Sequence, residues 1–193
     1  MCMKRINLYL CMKRINCSHT NLSGVVEIIP DIYSDGRGNF REIYRNKEQT
    51  PFGNAVQVNQ SVSVKGTVRG LHFQKPPYAQ AKLVRAVRGK ILDVAVDIRQ
   101  DSPTFGQHVA VELSEAKSNE LYIPIGFAHG FLALTDNAVV EYLVFGAPYN
   151  KESEGGILYN SPELNIEWGD AEKIISDKDL VWKPFNKKTN YGF

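Results

Sequence analysis

The chain is divided into short β-rich runs, and their spacing limits the folds open to it. Val25–Ile29, Ala55–Val64, Lys82–Val87, Ile91–Ile98, His108–Leu113, Leu121–Pro124, Gly130–Leu134 and Ala138–Phe145 are dominated by β-branched, aliphatic and aromatic residues. Clusters of Gly, Pro, Asp and Ser separate them, as at Arg88-Gly89 and Asp101–Gly106. Within Ile91–Ile98 the period of two puts Leu92, Val94, Val96 and Ile98 on one face and Ile91, Asp93, Ala95 and Asp97 on the other. Only Tyr44–Thr50, Ser114–Asn119 and Pro162–Asn165 could be helical, each of them short. No strand–helix–strand alternation is present, and no G-x-G-x-x-G follows a strand, which argues against a nicotinamide-binding domain. Strands at intervals of roughly ten residues predict an all-β sandwich or barrel with a few short helices.

A chain of 193 residues is long enough for one well-buried domain and short for two. Its 23 basic and 21 acidic residues nearly cancel. A generic nucleic-acid binder would carry a basic stripe, so no nucleic acid is expected as a partner. No apolar run approaches the roughly 20 residues of a membrane-spanning helix. The three cysteines, Cys2, Cys11 and Cys17, all precede the strand-rich region. The core therefore has none to cross-link, which fits a reducing, cytoplasmic compartment. The hexamer CMKRIN occurs at positions 2–7 and again at 11–16, and a single repeat is no solenoid period. We expect residues 1–20 to form a loosely held leader and residues 21–193 a single domain.

Chemistry concentrates between Val68 and Arg99. His72 lies mid-strand, Arg69 precedes it by three positions and Lys82 follows by ten. Arginine and lysine bury poorly unless paired or facing a ligand. Arg69 can clasp a phosphate or carboxylate with its planar fork, and Lys82 can aim a point charge at a developing oxyanion. His129 is the second histidine of interest. The two histidines suggest a metal only if a third ligand exists, and none is evident. Asp35–Gly38 reads as a turn that could bring Arg37 to an anion, with Phe40 and Glu42 on one face beyond it. Gln57 and Asn59 share a face of their strand, and with Val56, Val58 and Val62 they suggest either a lined pocket or a solvated outer face. Tyr142 sits in the apolar run VVEYLVF, either packing in the core or serving as a phenolic proton donor. Asp179 could cap a helix, or orient His72 and stabilise its cationic form.

Taken together, the blocks DGRGNFRE, SVKGTVRGLHFQ, AKLVRAVRGKILDVAVDIRQDSPTFGQ, YIPIGFAHGF, ESEGGI and IISDKDLVWKP resemble the dTDP-4-dehydrorhamnose 3,5-epimerase family from Val25 to about Pro184. The resemblance implies a double-stranded β-helix, that is, a cupin-like jelly roll without metal or other cofactor, assembled as a homodimer with exchanged strands. It implies a dTDP-4-keto-6-deoxy sugar as substrate. Epimerisation at C3 and C5 through an enolate is a step towards dTDP-L-rhamnose. It assigns His72 as base, Asp179 as its partner, Lys82 as stabiliser of the enolate oxygen and Tyr142 as the acid on the opposite face. Arg37, Glu42, Gln57, Asn59, Arg69, His129, Glu154 and Lys178 fall on nucleotide and diphosphate contacts, and Phe40 belongs with them. Two departures stand out. Val58 replaces the aspartate of a Q-D-N motif, and the stretch from Tyr142 to Glu154 is longer than usual, which makes Tyr149 an alternative acid. An epimerase acting at C3 or C5 alone, a non-catalytic sugar-nucleotide binder and a metal-dependent cupin enzyme are the competing readings.

Overall fold

The computed structural model describes residues 15–46 and 53–193. Two antiparallel sheets face each other in a cupin-like jelly roll. The first sheet has six strands in the order β1 (Ile15–His19), β2 (Val26–Pro30), β10 (Glu120–Ile123), β7 (Gln80–Arg88), β12 (Ala138–Gly146) and β5 (Ala55–Ser63). The second has five, in the order β13 (Glu154–Gly156), β6 (Val68–Gln74), β11 (Phe127–Ala133), β8 (Lys90–Asp97) and β9 (His108–Ser114). A separate hairpin, β3 (Tyr33–Asp35) and β4 (Gly38–Phe40), stands apart from both.

The strands form because their residues have two buried faces to fill. On β8, Ile91 and Ala95 pack between the sheets with Val84, Phe131 and Val140. Val94 and Val96 turn the other way, onto Leu71, Phe73 and Ile157 and the C-terminal residues Trp168, Phe185 and Tyr191. The segment after Gly156 thus roofs the outer face of the five-stranded sheet. On the outer face of the six-stranded sheet, Ala81, Leu83, Leu143 and Phe145 form a smaller buried cluster with Tyr44 packed against it. Between the sheets, apolar packing fills one end and leaves the other end to polar side chains.

Several expectations are corrected. Ile15–His19 pairs along its whole length with Val26–Pro30, so the sheet reaches into the stretch expected to be a loose leader; residues 1–14 lie outside the described residues. Tyr44–Asn46 is not helical, and the rest of that expected helix lies outside the described residues. The Tyr44 hydroxyl donates to the Gly53 carbonyl at 2.8 Å and accepts from the Ala55 amide at 3.1 Å, which ties the segment to the start of β5. Glu115–Ser118, within the second expected helix, is a turn, and Pro162–Leu164 is a single 3-10 turn. The α-helix found among the described residues, α1 (Asp177–Leu180), is four residues long.

Candidate active site

A cavity of about 630 Å³ opens at the polar end of the sandwich, and its walls come from both sheets. His72 stands on β6 of the five-stranded sheet, between Leu71 and Phe73, which pack outward. Strand alternation therefore turns the imidazole inward. Its Nε2 lies 2.6 Å from Asp179 Oδ1. Asp179 is 4% exposed and also accepts a bond from the Gly70 amide at 3.2 Å. Ser176, the residue before α1, caps it by accepting from the Asp179 amide, and so fixes where that carboxylate points. Burial pushes the Asp179 carboxyl up, but the bond and charge of His72 with the Gly70 and Ser176 contacts outweigh it and hold it below its ordinary value. An ionised carboxylate only accepts, so the ring carries hydrogen on Nε2 and keeps Nδ1 as a proton acceptor.

A second histidine–carboxylate pair lies beside the first. His129 on β11 is directly opposite His72, and its Nε2 is 2.8 Å from Asp93 Oδ1 on β8. Asp93 is fully buried, and its Oδ2 has no hydrogen-bond partner among the described residues. Burial drives the His129 imidazole below its ordinary range; Asp93 opposes this, while Lys82 and His72 add to it. The strands can approach this closely because Gly70 and Gly130 meet there. A Cβ on Gly70 would lie 2.5 Å from the Gly130 Cα.

The facing wall belongs to the six-stranded sheet. Lys82 on β7 holds its Nζ 5.6 Å from the centre of the Tyr142 ring on β12. Burial lowers the Lys82 ammonium to about 8, against the pull of Asp93 and Glu154. Burial raises the Tyr142 phenol, opposed by the Asn59 side chain across the strands and the charge of Arg69. On β5, Gln57, Asn59, Ser61 and Ser63 turn inward while Val56, Val58 and Val62 turn out. Gln57 Nε2 donates to Asn59 Oδ1 at 2.8 Å, and Gln57 Oε1 accepts from the Tyr149 amide at 3.1 Å. Arg69 crosses from β6 to donate to Ser63 Oγ at 3.1 Å.

Of the residues named from sequence, His72, Lys82, Tyr142, Asp179, Asn59, Arg69, His129 and Lys178 line one cavity. Gln57 and Glu154 stand at its margin. Glu154 pairs with Lys178 at 2.6 Å and accepts from the Tyr149 hydroxyl at 3.0 Å. Arg37, Phe40 and Glu42 do not join them. Arg37 pairs with Asp35 in the hairpin, Phe40 is 70% exposed, and Glu42 pairs with Arg45. The substitution at Val58 leaves this cavity untouched, because that side chain faces outward and is 59% exposed. Sequence reasoning passed over Asp93, Ser61 and Ser176. Asp93 was visible as an acidic residue among inward apolar positions, and Ser176 as the first residue of S-x-x-D. No group of three His, Cys, Asp or Glu side chains among the described residues could hold a metal ion.

This arrangement sets a base and its orienting carboxylate on one sheet, with a cation and a phenol on the other. Comparison with known proteins matches it to one family. The family model for dTDP-4-dehydrorhamnose 3,5-epimerase covers residues 19–187. The chain is 43% identical over 178 residues to the dTDP-4-dehydrorhamnose 3,5-epimerase of Methanothermobacter thermautotrophicus, covering 89% of this chain and 95% of that protein. The crystal structure of the Elizabethkingia anophelis enzyme of that name superposes with a TM-score of 0.86 at 42% identity, covering 92% of this chain and all of the other. The Legionella pneumophila dTDP-6-deoxy-D-glucose-3,5-epimerase, solved in complex with dTDP-4-keto-L-rhamnose, gives 0.83 at 40%, covering 88% and 92%. With fold, cavity and sequence agreeing across nearly its whole length, the chain belongs to the dTDP-4-dehydrorhamnose 3,5-epimerase family.

Proposed function

We propose that the protein epimerises dTDP-4-keto-6-deoxy-D-glucose at C3 and C5, giving dTDP-4-keto-L-rhamnose. One observation carries this reading: the base and the phenol lie on opposite sheets across one cavity, as inversion at carbon requires. His72 Nδ1 takes the proton from the carbon next to the C4 ketone, and the electron pair moves onto the ketone oxygen. Lys82 stabilises that oxyanion in a site largely withdrawn from water, where a fixed charge acts strongly. Tyr142 then delivers a proton to the other face of the same carbon. His72 loses its proton to solvent, Tyr142 regains one, and the cycle repeats at the second carbon. Asp179 keeps His72 in the competent tautomer and stabilises the imidazolium. Arg69 and Lys178, both lining the cavity, would hold the diphosphate in this reading.

Arg37, Phe40 and Glu42 fit the same reading if the protein is a homodimer whose hairpin reaches the partner's cavity. The exposed apolar residues Tyr33 and Phe40 of that hairpin support this, as do Val56, Val58 and Val62 on the open edge strand β5. No helix among the described residues is long and apolar enough to cross a membrane. A cytoplasmic site of action belongs to the same reading, in keeping with the absence of cysteine after Cys17.

The test is solvent deuterium uptake into the keto sugar, resolved by carbon. Uptake is expected at C3 and C5, abolished in His72→Ala and reduced in Tyr142→Phe. Folded protein showing no uptake at either carbon would sink the proposal, and uptake at one carbon alone would make it a single-site epimerase.

A further inference from the structure

We infer that Trp182 is a positioning residue for the base: its indole stands in the side-chain place of Gly156, next to His72, and holds Asp179 on the imidazole. The inference rests on the reading of His72 as the base.

β13 lies beside β6 at the edge of its sheet, and Gly156 is directly opposite His72. Residues paired in this way project to the same face, with Cβ atoms roughly 5 Å apart. The neighbouring pair shows the same parity. Gly155 is opposite the outward Phe73, and a Cβ on Gly155 would meet that ring at 2.4 Å. A Cβ on Gly156 would therefore turn inward with His72, where it would meet the Trp182 indole at 2.3 Å. The φ of Gly156 is outside the left-handed region, so the backbone does not require glycine there. The space does. A ring from the segment after α1 thus serves as the cross-strand neighbour of His72.

That segment needs an anchor. α1 is a single turn, too short to hold its shape alone. Leu180 is 52% exposed and Val181 76%, so neither fixes it. Lys178 pairs with Glu154, Asp179 with His72, and the Lys183 carbonyl accepts from the Leu158 amide at 2.9 Å. Trp182 adds an apolar contact three residues from Asp179. Its Nε1 is buried and has no hydrogen-bond partner among the described residues. An unpaired buried donor is unfavourable, so the ring is kept for its bulk. Trp182 does not line the cavity, and it closes the flank of the His72–Asp179 pair without touching substrate. Without it, water would reach that flank and compete with Asp179 for the Nε2 hydrogen. The imidazole would then be free to take the other tautomer.

The experiment compares Trp182→Ala, Trp182→Phe, Gly156→Ala and the double variant Gly156→Ala with Trp182→Ala. It reads epimerisation kinetics and, without any keto sugar, the downfield NMR signal of the His72 Nε2 proton, identified by its loss in Asp179→Asn. In Trp182→Ala, kcat should fall about 100-fold, the effect of a base displaced by about an ångström, while KM stays within a few-fold. The Nε2 signal should be lost to exchange with water. Trp182→Phe should keep the signal and stay within a few-fold in kcat. Gly156→Ala should copy Trp182→Ala, because its methyl expels the ring. The double variant should be no worse than either single one, since the methyl then occupies vacated space. If Trp182→Ala does not fold, Trp182→Leu replaces it, with a smaller loss of kcat and the same weakening of the signal. A truncation with kcat within a few-fold of wild type, a change in KM alone, or a retained Nε2 signal would each overturn the inference. So would Trp182→Phe as impaired as Trp182→Ala, or losses that multiply in the double variant. A wild type that neither exchanges nor inverts the keto sugar would instead overturn the epimerase reading, and this role with it.

Discussion

In the proposed mechanism Lys82 acts as a cation, and burial between the sheets lowers its ammonium to about 8. A lysine is charged below its pKa, so the charge proposed to stabilise the enolate is present at neutral pH and lost as pH rises through about 8. The rate of epimerisation should therefore decline on the alkaline side of a kcat/KM profile with a midpoint near that value. Asp93 is the stronger of the two charges holding Lys82 up, ahead of Glu154. Asp93→Asn removes that support, and the alkaline decline should begin at lower pH. An Asp93→Asn profile with the decline unmoved would show that Asp93 serves only to anchor His129.

At the level of strands, the contact that sets the two histidines side by side depends on Gly70. It adopts a φ of +132°, a conformation L side chains rarely take, and a Cβ there would sit 2.5 Å from the Gly130 Cα and 2.9 Å from the His129 carbonyl. Gly70→Ala is expected to destabilise the fold by about 2 kcal/mol or more, through backbone strain and overpacking together. Because the Gly70 amide also holds Asp179, kcat should fall as well; a denaturation midpoint and a rate on the same variant check both. What was legible in the sequence follows from the same physics. β7, β8, β11 and β12 were readable because two buried faces demand β-branched and aliphatic residues at nearly every position. β13 and α1 were not. Their sequences EGG and DKDL carry little strand or helix signal, and tertiary contacts hold them. Trp182 lies where a Cβ on Gly156 would go, and Asp179 is bound to His72. His72, Lys82, Tyr142 and Asp179 could be named from motifs, but that they share one cavity is a property of the paired sheets. The inward turn of Asp93 and Ser61 required knowing which face of β8 and β5 meets the cavity.

Across the whole molecule, the outward face of β5 is the anomaly. Val56, Val58 and Val62 are each about half-exposed on an edge left unpaired among the described residues, while Gln57, Asn59, Ser61 and Ser63 point inward. Edge strands with apolar exposure are usually protected, and a second copy of the chain is the cover proposed above. Val58→Glu combined with Val62→Lys should leave the fold intact and yield a monomer by sedimentation equilibrium. Activity should be weakened with it, because the hairpin carrying Arg37 and Phe40 would lose its partner. A double variant that remains dimeric and fully active would place the interface elsewhere.

The placement of His72 and Tyr142 on separate sheets has a mechanical side. Packed sheets stand about 10 Å apart, a spacing set by the side chains between them rather than by any loop. The reach from base to acid is thus a dimension of the core, and Val84, Phe131 and Val140 act as its spacers. Trimming Val84 or Val140, the spacers outside the cavity lining, should alter turnover before it alters affinity, so the interior packing of this protein is as much a setting of its catalyst as a source of its stability.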